Sequence, residues 1–208
     1  MIPGVSLPFP RILLCLYFMA YLPQAQEYDW AAINEEDFEA FQPTKRIMDV
    51  IGIHEGMRVG EVGAGGGRVC VRVARRVGPK GRVYANDITA SALEYMRSRV
   101  KRDKIENMEV VEGSLTDPHF PEGALDVVFL TNTYRHLDRP RDILMNIARS
   151  LTRKGKLGIV ESKRYARNTE FNEIIENAAA AGFELTELDK SLPRDDIYVF
   201  RMKGRRPY

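Results

Sequence analysis

The chain has 208 residues, 44% hydrophobic and 29% charged, which excludes wholesale disorder and collagen-like repetition and leaves room for one sizeable core. Its 31 Lys and Arg face 29 Asp and Glu. Arg11 is the only charged side chain in residues 1–26, so 30 basic groups remain against the 29 acidic ones, a balance that argues against a general nucleic-acid binder. Two cysteines exclude a disulfide framework and a cysteine-based zinc cluster.

Residues 1–26 read as a separate region. Ile12 to Leu22 is an unbroken apolar run of 11, preceded by Arg11 and followed by Pro23-Gln-Ala25-Gln26. The order resembles a secretory signal: weak positive charge, apolar stretch, short polar end. The run is short for a membrane span, which needs about 20 residues. Three readings stand: a cleaved export signal, placing the domain outside the cytoplasm; an uncleaved membrane anchor through residues 12–22; or an untargeted start, leaving it cytoplasmic. The domain proper is residues 27–208. Tyr28, Trp30, Phe38 and Phe41 precede its core, either as packing or as a lid over a substrate.

From there strands alternate with helices. Helical periodicity runs over 45–53, ending at Gly56, and a short strand follows at 58–62. A helix over 69–77 is closed by Gly78-Pro79. Cys70 on that helix reads as a small buried hydrophobe. A strand at 82–86 leads to a helix at 90–104, whose Arg97, Arg99, Lys101, Arg102 and Lys104 read as a wet face. A strand follows at 108–111. Leu125–Leu130 (LDVVFL) is continuously apolar, as in the middle of a parallel sheet. A helix over 141–151, a strand over 157–160 and a helix over 170–181 stopped by Gly182 come next. Strands at 183–188 and 197–202 have no helix between them and predict an antiparallel hairpin. The pattern is that of an α/β, doubly wound, Rossmann-like sheet.

The strongest chemical signal is Glu61-Val-Gly63-Ala64-Gly65-Gly66-Gly67, between the first strand and its helix. Glycines allow a sharp turn and close approach of a ligand to backbone, and the helix N-terminus offers N–H groups to an anion. The dinucleotide pattern needs a third glycine or alanine at position 68, which is Arg68. The next strand leads into Asp87, one βαβ unit on, where a carboxylate meets ribose hydroxyls.

Glu61–Gly67, Asp87, Val111-Glu112-Gly113, Asp126–Leu130 and Leu151–Glu161 together resemble the class I S-adenosylmethionine-dependent methyltransferase family, over residues 43–203. The resemblance implies a seven-stranded sheet of order 3-2-1-4-5-7-6 with an antiparallel seventh strand, and S-adenosylmethionine as cofactor. It implies that Gly63, Gly65 and Gly67 line the methionine end, that Glu61 helps hold the ammonium group, and that Asp87 binds the ribose. Ile88 would pack on the adenine, Leu115 would offer it backbone, and Ser114, or Asp117 in its place, would stand where an acid often meets the adenine amino group. Thr131 would lie beneath the sulfonium.

The acceptor side rests on Thr131-Asn-Thr-Tyr134-Arg-His136-Leu137, after the fourth strand. His136 is the candidate base, since histidine ordinarily titrates near pH 6.5. Tyr134 is the candidate for orienting the acceptor; packing is the alternative for both. The segment lacks the prolines of amide and adenine methyltransferases, and one domain cysteine does not suit arsenite chemistry. No metal is assigned, and Asp126 reads as a structural strand start. Lys163, Arg164 and Arg167 would meet an anionic acceptor or solvent. The resulting expectation is methyl transfer to a small molecule. A non-catalytic binding module and an NAD(P)-dependent oxidoreductase are the alternatives.

Overall fold

The structure is a computed structural model that describes residues 29–30, 35–164 and 170–204. The apolar run at 12–22, Tyr28 and Arg167 lie outside the described residues. Among those described, no helix is long and apolar enough to cross a membrane.

Two helices, α1 (Glu35–Phe41) and α2 (Thr44–Ile51), precede β1 (Arg58–Val62). There follow α3 (Arg68–Val77), β2 (Arg82–Asp87), α4 (Ala90–Arg102), β3 (Met108–Glu112), β4 (Leu125–Thr131), a 3-10 turn (Tyr134–His136) and α5 (Pro140–Ser150). The chain ends in β5 (Leu151–Ser162), α6 (Glu170–Ala180), β6 (Phe183–Asp189) and β7 (Asp195–Met202). The seven strands form one sheet of order β3-β2-β1-β4-β5-β7-β6. β7 runs antiparallel to both its neighbours.

β4 carries the LDVVFL run because both of its faces are covered. Val127 and Phe129 join α2, α3 and α4 in one core layer, with Ile47, Val73 and Met96. Val128 and Leu130 join α5 and α6 in the other, with Leu144, Ile174 and Phe183. Asp126 stays at the strand's start, where its Oδ2 accepts the Arg58 N–H at 2.9 Å.

Two elements differ from the pattern reading. β5 starts at Leu151, not 157, because Leu125 pairs with Leu151 and Val127 with Lys156. The extra β5 residues, Thr152-Arg-Lys154 among them, bulge out of the ladder and mask the alternation. α1 has no buried residue at all, so it leaves no apolar stripe to read. Its first turn holds Glu35, Glu36 and Asp37, which suit the positive end of the helix dipole.

The strand order reverses between β1 and β4. Ligands of open α/β sheets bind at such a switch point, outside the carboxyl ends of the strands.

Candidate active site

The loop leaving β1 is held by three hydrogen bonds, two to the end of β2 and one from beyond β4. The Ala64 N–H donates to the Asn86 carbonyl at 2.8 Å. The Gly65 N–H donates to Asp87 Oδ2 at 2.8 Å. Thr133, beyond β4, donates its hydroxyl to the Gly63 carbonyl at 3.2 Å. Gly63 and Gly65 sit at φ +70° and +55°, the left-handed region that costs a side chain dearly. A Cβ on Gly63 would overlap the Thr133 side chain, and one on Gly65 would lie 2.7 Å from Trp30 Cζ3. Trp30 therefore lies directly on the loop, across the mouth of the site.

Asp87 is 9% exposed. Its Oδ1 accepts the Ile88 and Thr89 N–H groups at 2.8 and 2.9 Å, while Oδ2 takes Gly65. The carboxylate thus fixes the glycine loop against the end of β2 and lines the cavity beside it.

That cavity encloses 490 Å³, within the range of a small-molecule or cofactor site. Ile88 and Leu115 line it, 52% and 55% exposed, two of the three large hydrophobics left in solvent among the described residues. Ser114 lines it as well, but its hydroxyl accepts the Asp117 N–H at 3.0 Å and closes its own turn. The Asp117 carboxylate accepts the His119 N–H and is not part of the lining. Thr131, Thr133, His136 and Leu137 form the far wall.

A second lobe of 140 Å³ lies behind the glycine loop. Glu35, Glu61, Arg68 and Arg99 bring charged groups to its wall beside neutral Gln42, with Trp30, Phe38 and Val69 as the apolar part. Trp30, Gly63, Gly65, Thr131 and Asn132 border both lobes. Asn132 is held at φ +53°, strained for a residue with a side chain. Its Oδ1 accepts from Arg135 Nη1 at 3.2 Å, and Arg135 is ion-paired with Glu161, which is 1% exposed.

The cofactor-side candidates Glu61, Gly63, Gly65, Asp87, Ile88, Ser114, Leu115 and Thr131 thus border one two-lobed cleft. Gly67 instead caps α3 at φ +75° beneath it. His136 reaches the cleft and Tyr134 does not. Tyr134 is 5% exposed and its oxygen accepts from Asn177 Nδ2 at 2.7 Å; burial pushes its hydroxyl up to about 12. An acceptor-orienting role for Tyr134 is therefore corrected to core packing. A 3-10 turn has three residues per turn, so side chains two apart leave it in different directions.

Other expectations change too. Arg99 does not lie on the wet face of α4: it is 9% exposed and pairs with Glu35. Lys163 donates to the Lys190 and Leu192 carbonyls and pins the loop before β7. Sequence reasoning missed Arg135 with Glu161, and the contacts of Glu35 with Arg72 and Arg99, because each joins residues far apart in the chain. Among the described residues no three His, Cys, Asp or Glu side chains come together as a metal site needs.

Comparison with known proteins fits this geometry. A family profile described as "Methyltransferase domain" matches residues 59–155, from β1 into β5. A demethylmenaquinone methyltransferase of Listeria welshimeri is 24% identical over 120 residues, 58% of this chain and 51% of that protein. The chain thus spans about half the length of such curated relatives. A probable cobalt-precorrin-6B C(15)-methyltransferase (decarboxylating) of Sulfolobus acidocaldarius is 26% identical over 185 residues, 80% of this chain and 94% of that protein. A crystal structure of a SAM-dependent methyltransferase from Aquifex aeolicus shares the fold, with TM-score 0.75 and 22% identity over 84% of this chain and 98% of that one.

Proposed function

From a chain that belongs to the class I S-adenosylmethionine-dependent methyltransferase family, we propose a methyltransferase acting on a small-molecule acceptor. One observation carries this reading. The cleft at the β1–β4 switch point pairs an open lobe, walled by exposed Ile88 and Leu115, with a small charged lobe, and the Asp87-tethered glycine loop divides them. A nucleoside suits the first lobe and an amino-acid group the second. The acceptors in the names of the relatives, a demethylmenaquinone and a cobalt-precorrin, are small molecules, which supports the same class here.

S-adenosylmethionine, when bound, supplies an electrophilic methyl group on a sulfonium. Asp87 would hold the ribose while keeping the loop in place. Ile88 and Leu115 would flank the adenine, with Ser114 near its edge. Gly63 and Gly65 would let backbone approach the methionyl chain, and Glu61 would meet its ammonium group. Thr131 borders both lobes and so stands near the reacting centre. An acceptor entering past Leu137 would meet His136, which would take the proton of an acceptor O–H or N–H as the methyl is transferred. Holding nucleophile and methyl in line can supply much of the rate.

Two outcomes test this arrangement. Asp87→Ala is expected to weaken S-adenosylmethionine binding by about 1–3 kcal/mol, through a lost hydrogen-bonding carboxylate and a loosened loop. Unchanged affinity by calorimetry would remove Asp87 from the ribose. His136→Ala is expected to lower turnover about 10²-fold with cofactor affinity retained. S-adenosylhomocysteine release, measured against a panel of oxygen, nitrogen and carbon acceptors, reads this directly. A wild-type rate in the variant would return His136 to a structural part. A protein that binds cofactor but turns over no acceptor in the panel would favour the binding-module reading.

A further inference from the structure

Glu61 is 2% exposed at the end of β1, yet it lines the small charged lobe. Among the described residues it makes no ion pair. Its closest donor is the Cys70 thiol of α3, with Sγ 2.8 Å from Oε2. Cys70 is itself fully buried, and a thiol is a weak donor. A buried carboxylate served mainly this way, with no paired cation, is poorly compensated as an anion.

The other groups around Glu61 are occupied or distant. Arg68, also from α3, is held by Glu39 at 3.4 Å and by Gln42. Arg99 of α4 pairs with Glu35 of α1 at 2.5 Å. Asp87 of β2 adds negative charge nearby, and the Thr131 hydroxyl approaches from β4. Burial pushes Glu61 up to about 7; the Cys70 bond, more distant Arg68 and Thr131 pull it down, and Asp87 pushes it further up. Burial and the neighbouring Glu61 drive the Cys70 thiol well above its usual range, so it remains a donor.

Building on the cofactor reading above, we propose that Glu61 waits in the empty cleft as a neutral acid and gives up its proton when the cofactor's ammonium group arrives, with Cys70 as the positioning residue that pins Oε2 and leaves Oε1 to the ligand. The balance is simple. The carboxyl O–H bond breaks, the proton passes to solvent, and the carboxylate pairs with an ammonium that keeps all its own protons. The signs follow by linkage. Binding at low pH must expel a proton, so affinity falls as pH drops through the Glu61 range. Titration of the ligand's own ammonium would act the other way, weakening binding as pH rises.

The test is calorimetric titration of the full chain with S-adenosylhomocysteine from about pH 5.5 to 8, in buffers of different protonation enthalpy. The expected result is nearly one proton released per ligand at the acid end and almost none at the alkaline end. Affinity should weaken by about tenfold per pH unit below about 7. Glu61→Gln should bind more weakly and show no such proton release. Cys70→Ala should move the break in affinity to higher pH, and Cys70→Ser should restore it; a merely structural cysteine would move stability without moving the break. Should either cysteine variant fail to fold, the wild-type proton count and Glu61→Gln decide alone. Binding without proton release at the acid end overturns the proposal and leaves the cofactor reading intact. Proton release that persists in Glu61→Gln overturns it as well, and assigns the proton to another group such as His136. No binding at any pH overturns the cofactor reading and this proposal with it.

Discussion

Arg135→Ala is expected to cost about 3–5 kcal/mol of stability, the usual result of stripping a buried charge of its partner. Glu161 sits at the end of β5, 1% exposed, and its only ion-pair partner among the described residues is Arg135. The same carboxylate accepts the Ser162 N–H at 3.0 Å and is approached by the Arg135 N–H at 3.4 Å. Without the guanidinium, two backbone N–H groups are left to compensate an anion in the interior. The Arg135 side chain is 22% exposed, so water reaches part of the pair and the lower end of the range is the better expectation. Asn132 also loses its Oδ1 donor and with it the support for its strained backbone. For a chain of this size the melting temperature should fall by roughly 10 °C. Denaturant unfolding of Arg135→Ala, with the double variant that also carries Glu161→Leu, separates the causes. The double variant should recover part of the loss, because an apolar replacement removes the stranded charge. A loss below about 1 kcal/mol in the single variant would mean the pair behaves as a solvated surface contact.

Gly63→Ala is expected to abolish useful cofactor binding while costing about 2–5 kcal/mol of stability. The left-handed backbone at φ +70° contributes about 1–2 kcal/mol of that. The collision with Thr133, whose Oγ1 would lie 2.6 Å from the new Cβ, contributes a further ~1–3 kcal/mol by overpacking. Relief of the clash would push Thr133 away from the Gly63 carbonyl and open the loop where both lobes meet. Thermal unfolding and ligand titration on the same sample check both effects. Near-wild-type affinity would show that the loop tolerates displacement and that its geometry does not set the site. Gly56→Ala supplies a control: φ is again positive, at +83°, but no atom lies within 4 Å of the added carbon, so only the backbone cost should appear.

What could be read from the sequence was local. The Glu61–Gly67 loop is legible because turn chemistry is written in adjacent residues, and LDVVFL because a strand covered on both faces needs no alternation. The C-terminal hairpin is legible from a missing helix. What escaped depends on partners distant in the chain. Nothing near Arg99 says that it turns inward to Glu35, 64 residues away. The burial of Cys70 was predictable, but its hydrogen bond to Glu61 required knowing that α3 lies over β1. Trp30 read as one aromatic among four until its ring was seen across Gly65. Tyr134 misled for the opposite reason: its place just after the fourth strand suggested a part in the site, and the tight turn sends His136 to the cleft and Tyr134 into the core. Helix α1 was invisible because it is held by Glu35 and Glu39 reaching Arg72, not by an apolar stripe.

The measurement that bears most directly on the whole account is calorimetric titration of the chain at one pH, near 8, with S-adenosylmethionine, S-adenosylhomocysteine and NADH in turn. Micromolar binding of both adenosyl ligands, with none of NADH, is the predicted result. Binding of NADH with neither adenosyl ligand would contradict it and turn the cleft into an oxidoreductase site, while binding of none of the three would leave a methyltransferase fold without its cofactor.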